Sequence, residues 1–504
     1  MSEAIDRYFE ENKAAAGLGR AALKSGAFMM AARLVNVVIQ VGSAIVLARL
    51  LDPHEVGLAA MVLAITAFAP LLVDLGTTDA IAQKPQITRQ EVSTLFWLNL
   101  TVGTGLTLAL AAASSFIASS LNQPALLNVA LVSSLSFVLS SLFIQHYALM
   151  RRAMEFQRVV LIDLFANLIS SILIIVLAFY GWSYWSLVVK PLLLMVLTAA
   201  GAWTSVRWVP GRPVFNDDVK KLMRFGLGIT GFTLSDQLTR SADKIAVGYF
   251  YGPGQLGYFQ NSSLLYAHAI NVLAESLHNV AISGLSKFKD DAEGLRRSWG
   301  QALSLVTFIS TAAFAVLAAT GQDVVALLLG EKWAPAGVLL SLFGIRGIAQ
   351  CVERTMGWLH VVAGRTDRWM RWGLFSTVCQ LTALAAGLPF GANGVAVAYA
   401  ITMFLIFLPA IAYAGKPLGI GYKDAAANTL PQIVSAIFAA SGGYLFLLWL
   451  SPGHLHIVRI ILASFVCMSI YLIVAVGFFR VTEPLRLAYG LLMDLVAKRT
   501  KNAS

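Results

Sequence analysis

Asp236, Arg240, Asp243 and Lys244 lie inside the otherwise apolar stretch from Phe225 to Phe259. A charge facing lipid near the bilayer centre costs about 2.5 to 3.5 kcal/mol on the insertion scale, so these side chains must face protein or water. Asp236, Arg240 and Asp243 follow at steps of four and three, which puts them on one stripe of a helix. Two readings stay open: a polar stripe along an aqueous cavity, or two acids that neutralise Arg240 and Lys244 within a packed bundle. The next apolar stretch carries Asn261, His268, Asn271 and Glu275 on one returning face. His268 and Glu275, seven apart, could exchange protons with a gradient and bias a conformational switch, or could belong to a hydrogen-bond network that fixes packing.

Cationic chemistry recurs elsewhere in the apolar sequence. Arg33, Asn36, Gln40 and Ser43 stand at steps of three, four and three, and Arg33 has no acid in its own helix. It is a candidate to contact an anion, the alternative being that it snorkels to the nearby surface. Arg346, Gln350, Glu353 and Arg354 form another group, in which Glu353 offsets one arginine, and Asp163, Asn167 and Ser170 a weaker one. Arginine suits phosphate because its planar fork donates two parallel hydrogen bonds and keeps its charge when partly desolvated. The candidate substrate-binding residues are therefore Arg33, Asn36, Gln40, Arg240, Lys244 and Arg346. The coupling candidates are Asp236, Asp243, His268, Asn271, Glu275 and Asp163.

The elements that position these residues follow from composition. Of 504 residues, 58% are hydrophobic and 12% charged, with a mean hydropathy of +0.73, values of an all-α polytopic membrane protein. Windows of about 20 apolar residues mark about 14 spans. The net charge of +11 does not point to nucleic acid, because 28 of the 37 lysines and arginines fall in segments that would share one face. Only Arg49, Lys332 and Arg459 fall on the other. The bias predicts that both termini are cytoplasmic, that Arg151, Phe215 and Gly364 lie inside, and that Gly254 and Pro452 lie outside.

Internal similarity divides the spans. LDPHEVG at 51–57 aligns without a gap with YGPGQLG at 251–257, GWSYWSLVV at 181–189 resembles GANGVAVAY at 391–399, and RRAMEFQR at 151–158 resembles GRTDRWMR at 364–371. These correspondences predict two parallel repeats. The expected organisation is a cytoplasmic segment 1–25, a six-helix lobe 26–206, a linker 207–222, a second six-helix lobe 223–414, a loop 415–427, two added spans 428–479 and a basic amphipathic tail 480–504. Pro70 is expected to kink the second span. Cys351, Cys379 and Cys467 lie in spans without metal-ligand spacing and read as small apolar residues. No phosphate loop, HExxH or GxSxG occurs, and the extramembrane loops are short. Gradient-driven transport or facilitated flipping is favoured over ATP-driven export or an enzyme, and no metal or cofactor is expected.

At VLARLLDPHEVGLAAMVLAITAFAPLLVDLG (46–76), RRAMEF (151–156), YGWSYWSLV (180–188), GPGQLGYFQNSSLL (252–265) and LLLGEKWAPAG (327–337), the chain resembles the Wzx-type polysaccharide flippases of the multidrug/oligosaccharidyl-lipid/polysaccharide exporter superfamily, in the succinoglycan, amylovoran and colanic acid exporter branch. The resemblance implies two six-helix lobes around a central cavity, with two C-terminal helices added. It implies alternating-access transfer of an undecaprenyl-pyrophosphate-linked oligosaccharide across a bacterial inner membrane, with membrane lipids, a polysaccharide polymerase and a chain-length regulator as partners. The alternatives within the superfamily are a drug antiporter and a lipid-linked peptidoglycan precursor flippase.

Overall fold

Hydrocarbon offers backbone N–H and C=O groups no water, so a spanning segment must pair them internally, and the helix is the form that does so without a neighbour. The computed structural model describes residues 8–9, 18–84, 86–285, 291–450 and 455–487, and they contain no strand. Side chains are described at most of these positions; those of Asp236, Arg240 and Glu275 lie outside the described set. By length and composition, eleven stretches among the described residues could cross a membrane, one of which, Asp367–Leu418, holds two successive helices. The chain forms two compact units, Met1–Gly257 and Tyr258–Ser504.

In the first unit the helices run α1 Leu18–Leu50, α2 Pro53–Thr66, α3 Ala69–Asp74, α4 Thr77–Gln83, α5 Arg89–Ser120, α6 Ala125–Arg152, α7 Phe156–Phe179 and α8 Trp185–Val206, followed by most of α9, Asp217–Leu285. The second expected span is broken twice. Helix α2 stops at Thr66 and α3 restarts with Pro70 in its first turn, where the missing N–H is harmless. Leu75 (φ 51°) and Gly76 (φ 70°) then adopt left-handed backbone before α4. Glu55 fastens the outer end, its carboxylate accepting from the backbone N–H of Asp52 (2.8 Å) and from the hydroxyl of Ser183.

The unit boundary at 257 falls beyond the linker expected at 207–222, for two local reasons. The linker lies along α5: the N–H of Gly211 donates to Ser93 Oγ (2.9 Å), the indole of Trp97 to the Gly211 carbonyl (2.8 Å) and the N–H of Val214 to Thr94 Oγ1 (2.8 Å). The two aligned turns also interlock. A Cβ placed on Gly57 would stand 1.7 Å from the carbonyl oxygen of Pro253, and one placed on Gly257 would stand 1.9 Å from that of Pro53. Each turn thus seats its proline carbonyl against the other's glycine, a reciprocity that the 200-residue offset in sequence anticipates. Gly252 (φ 75°) supplies the bend in α9 that the second turn needs. Gly181 and Gly391, which head the second pair of repeated segments, share left-handed φ values of 81° and 78°.

The second unit continues with α10 Ala292–Leu329, α11 Ala334–Glu353, α12 Met356–Val362, α13 Thr366–Gly387, α14 Gly391–Gly415, α15 Tyr422–Trp449 and α16 His456–Leu472. Helices α11 and α12 belong to one apolar stretch, Glu331–Val362, with a turn at Arg354 and Thr355 between them. The last two helices are tied to α10 by specific polar contacts. Asp323 accepts from Arg459 Nε and pairs with His456 Nδ1, both at 2.8 Å, while His456 Nε2 meets Glu331 at 2.9 Å. Tyr471 bonds Thr311 (2.9 Å) and donates to the Phe308 carbonyl (3.0 Å).

A methyl group at either interlocked glycine forces backbone apart and is expected to cost at least about 1 to 3 kcal/mol. Gly57→Ala and Gly257→Ala should each lower the thermal midpoint of the detergent-purified protein. Gly254→Ala, whose Cβ meets nothing within 4 Å, should leave it within a degree or so of wild type, and equal midpoints for all three would contradict the interlock.

Candidate functional site

In the first unit the Arg33 stripe faces other polar side chains. Helix α1 packs along α7, and the Asn167 amide donates to Asn36 Oδ1. Two turns further along α1, Lys190 of α8 donates to Ser43 Oγ (3.1 Å), and that hydroxyl donates to the Gln40 carbonyl (3.0 Å). Arg33 is exposed, whereas Asn36 and Gln40 are half-buried. Asp163 accepts from the Tyr147 hydroxyl at 2.7 Å, which gives this carboxylate a donor from α6. Asp243 and Lys244 are half-buried neighbours, and Asp243 Oδ1 accepts from the backbone N–H of Lys244 (2.7 Å). The structure therefore joins Asn36 with Asn167 and Ser43 with Lys190.

In the second unit the arrangement centres on Arg346. Its guanidinium carbon lies 4.7 Å from the ring centre of Tyr399 on α14 and 5.9 Å from that of Tyr266 on α9. Tyr266 donates its hydroxyl to Gln350 Oε1, which fixes the ring that meets Arg346. The Nε of Arg346 is buried without a hydrogen-bond partner among the described residues. An arginine held between aromatic faces sheds water from its planar surfaces while its N–H edge stays available, and so is prepared for an anion. Arg354 Nη1 reaches Asn271 Oδ1 at 3.4 Å, and half-buried His268 sits one turn before Asn271 on α9. Among the described residues no three His, Cys, Asp or Glu side chains gather as metal ligands.

A buried polar cluster in the first unit was not marked by spacing. Asp74 Oδ1 accepts from Thr77 Oγ1, from Thr78 Oγ1 and from the Thr78 N–H, each at 2.9 Å. Gln145 Nε2 donates to Thr77 Oγ1 (3.0 Å) and, with the Asn99 amide turned so that its nitrogen donates to the carbonyls of Val73 and Leu95, to the Asn99 oxygen at 2.9 Å. Gln145 is fully buried, and its Oε1 has no hydrogen-bond partner among the described residues. The residues come from the broken second span, α5 and α6, so no one-helix pattern could assemble them. The visible signal was a glycine after an intramembrane acid, in VDLGTT at 73–78. Tyr266 and Tyr399 escaped for the same reason, since the partners of an arginine on α11 stand on two other helices.

Broken apolar helices that carry buried cationic and polar clusters describe a multi-span membrane protein. The fold agrees. The chain superimposes on an inward closed conformation of the lipid II flippase MurJ with a TM-score of 0.72 and 14% identity, over 90% of this chain and 98% of that one. For an inward-facing multidrug resistance MATE family transporter of the MOP superfamily the TM-score is 0.57 at 15% identity, over 76% and 94%. The family model described as polysaccharide biosynthesis protein matches residues 46–337, and the chain belongs to that family. It is 27% identical to the lipopolysaccharide biosynthesis protein WzxC of Escherichia coli (strain K12), over 75% of this chain and 78% of that protein. It is 25% identical to the succinoglycan biosynthesis transport protein ExoT of Rhizobium meliloti (strain 1021), over 68% and 69%.

Asp74→Ala leaves three donors without their acceptor, which is expected to cost about 1 to 3 kcal/mol for the first unsatisfied group alone. Asp74→Asn keeps an oxygen at the same place. The alanine variant should therefore unfold several degrees below the asparagine variant in a thermal melt, and the reverse order would show that the carboxylate does not organise the break in the second span.

Proposed function

We propose that this protein flips an undecaprenyl-pyrophosphate-linked oligosaccharide from the cytoplasmic to the periplasmic leaflet of a bacterial inner membrane, by alternating access, for polysaccharide synthesis. The observation that carries the reading is Arg346, desolvated between Tyr266 and Tyr399 with a buried N–H unspent. A drug antiporter for cationic compounds has no use for a guanidinium prepared in this way, whereas a pyrophosphate or an acidic sugar does. Membership of the polysaccharide biosynthesis family and the names of the WzxC and ExoT relatives support the same cargo class. The likeness to the lipid II flippase MurJ makes a peptidoglycan precursor the second reading, supported by fold alone. Both termini face the cytoplasm in this proposal, as the charge bias requires, and a polymerase and a chain-length regulator receive the translocated unit.

The residues proposed to meet the anion are Arg33, Asn36, Gln40, Arg240 and Lys244 of the first unit and, separately, Arg346 of the second. Several contacts of about 1.5 to 3 kcal/mol each suit a cargo that must be released better than one tight site does. Asp236, Asp243, His268, Asn271, Glu275 and Asp163 form the coupling set, and the repeats 26–206 and 223–414 form the two lobes.

Two measurements test this. Binding of the lipid-linked substrate should fall about tenfold or more in Arg33→Glu and Arg346→Glu, and less in the lysine replacements, given that each 1.4 kcal/mol is a factor of ten. Wild-type affinity and polymer export in both reversals, in a correctly inserted protein, would exclude the anion-binding role. Flipping in proteoliposomes should lose its pH dependence in Glu275→Gln if that group carries the coupling proton. An unchanged rate and pH profile would leave Glu275 and His268 a packing role.

A further inference from the structure

A cavity of about 490 Å³ opens in the second unit where α13 meets the turn joining α14 to α15. Its walls are Trp372, Pro409, Tyr413, Lys416, Ile420 and Tyr422. Two glycines of the turn also line it, and a Cβ built on either Gly419 or Gly421 meets nothing within 4 Å, so the space continues past both. The turn is fixed by two bonds: the N–H of Ile420 returns to the Gly415 carbonyl (3.1 Å), and the N–H of Gly421 donates to the Asp424 carboxylate (3.0 Å). Nothing in the transport reading uses this place. Tyr413 stands about 21 Å of helix rise beyond Tyr399, the residue that meets Arg346.

Cations outnumber acids around the cavity. Lys416 is exposed at its edge, and exposed Arg365, Arg371 and Lys423 belong to the two segments that frame it. Behind the wall, the Arg368 guanidinium carbon lies 4.1 Å from the ring centre of Tyr413, its Nη2 donates to the Tyr413 carbonyl (2.6 Å), and its Nε is buried with no hydrogen-bond partner among the described residues. The nearby acids are already engaged, Asp424 by Arg296 (3.0 Å from Nε), Asp367 by Arg365 (3.7 Å) and Glu353, beside Trp372, by the charge of Arg354. Indole and phenol rings beside a lysine, at the end of apolar helices, are the composition of a membrane interface. Positive groups on the face that the charge bias assigns to the cytoplasm attract anionic lipid at about 1 kcal/mol per cation near the surface.

From this geometry we infer that the cavity binds the head group of an anionic phospholipid of the cytoplasmic leaflet. Its phosphate is met by Lys416 in the field of Arg368, and its glycerol and first chain methylenes rest on Trp372, Pro409 and Tyr413. The volume lies within the range of small-ligand pockets, with few polar groups set in an apolar wall. The site is distinct from the cargo-binding set, so its occupancy does not depend on which cargo is flipped.

The test uses the full chain, purified in mild detergent and delipidated, with two variants that leave the core untouched. Lys416→Glu reverses the rim charge, and Gly421→Leu, at a position with extended backbone (φ −120°) where a Cβ meets nothing within 4 Å, adds bulk to the wall. Native mass spectrometry with phosphatidylglycerol and phosphatidylethanolamine at equal mole fraction should find at least one retained phosphatidylglycerol on the wild type. Its occupancy should fall about fivefold or more in both variants, with no change in phosphatidylethanolamine. Thermal midpoints without lipid should match the wild type, which separates loss of the site from loss of the fold. Undiminished phosphatidylglycerol binding in both variants overturns the inference. So does full competition by glycerol 3-phosphate alone, which would make the ligand a soluble phosphate and not a lipid.

Discussion

A polar group that cannot reach water must be met by protein, and the rest of this structure depends on that demand. Thr77, Thr78, Asn99 and Gln145 gather around Asp74 because a lone carboxylate among helices would be intolerable. Asp323 holds Arg459 and His456 on the same principle, and in doing so it fixes α16 to α10. The charged staple matters because helices in lipid gain little from apolar contact alone, the surrounding chains being as apolar as leucine. The final helix pair is thereby specified by a few polar contacts, although its outer surface is made of exposed residues such as Phe465 and Ile473.

Against that background an unmet polar atom is informative. Arg346 has two aromatic rings within 6 Å and a buried N–H with no acceptor among the described residues. Arg368 repeats the arrangement on Tyr413, but spends one N–H on a carbonyl of the same residue. Both arginines use the ring quadrupole to lower the cost of desolvation without neutralising the charge. Glu353, two helix turns along α11, shares its charge between Arg354 and Arg346. The family to which the chain belongs, polysaccharide biosynthesis proteins, gives that preparation for anions its biological sense.

The interlocked turns show how an internal repeat becomes a contact. Gly57 and Gly257 are needed because each receives a proline carbonyl at a distance that no side chain would permit. The backbone bends at Gly252 and at the Leu75–Gly76 pair interrupt helices whose apolar sequence alone would run on. Such interruptions are affordable only where neighbouring helices supply partners for the freed groups.

Much of this was legible in the residues themselves. Hydropathy determined that the chain is helical and crosses a membrane, and the offset between LDPHEVG and YGPGQLG marked the pair of turns that later proved to touch. One-helix spacing also marked Arg346 and the Arg33 stripe, because period 3.6 is visible in a single segment. Spacing could not disclose that Tyr399 and Tyr266 lie near Arg346, that Asn167 meets Asn36, or that Gln145 of α6 reaches Thr77 beside Asp74. Nor could it locate the break after Glu353 in a run apolar enough to continue. Local sequence determines which groups must be satisfied and on which face of a helix they lie. Which partner from another helix satisfies each of them depends on how the helices pack, and only the tertiary structure decided that.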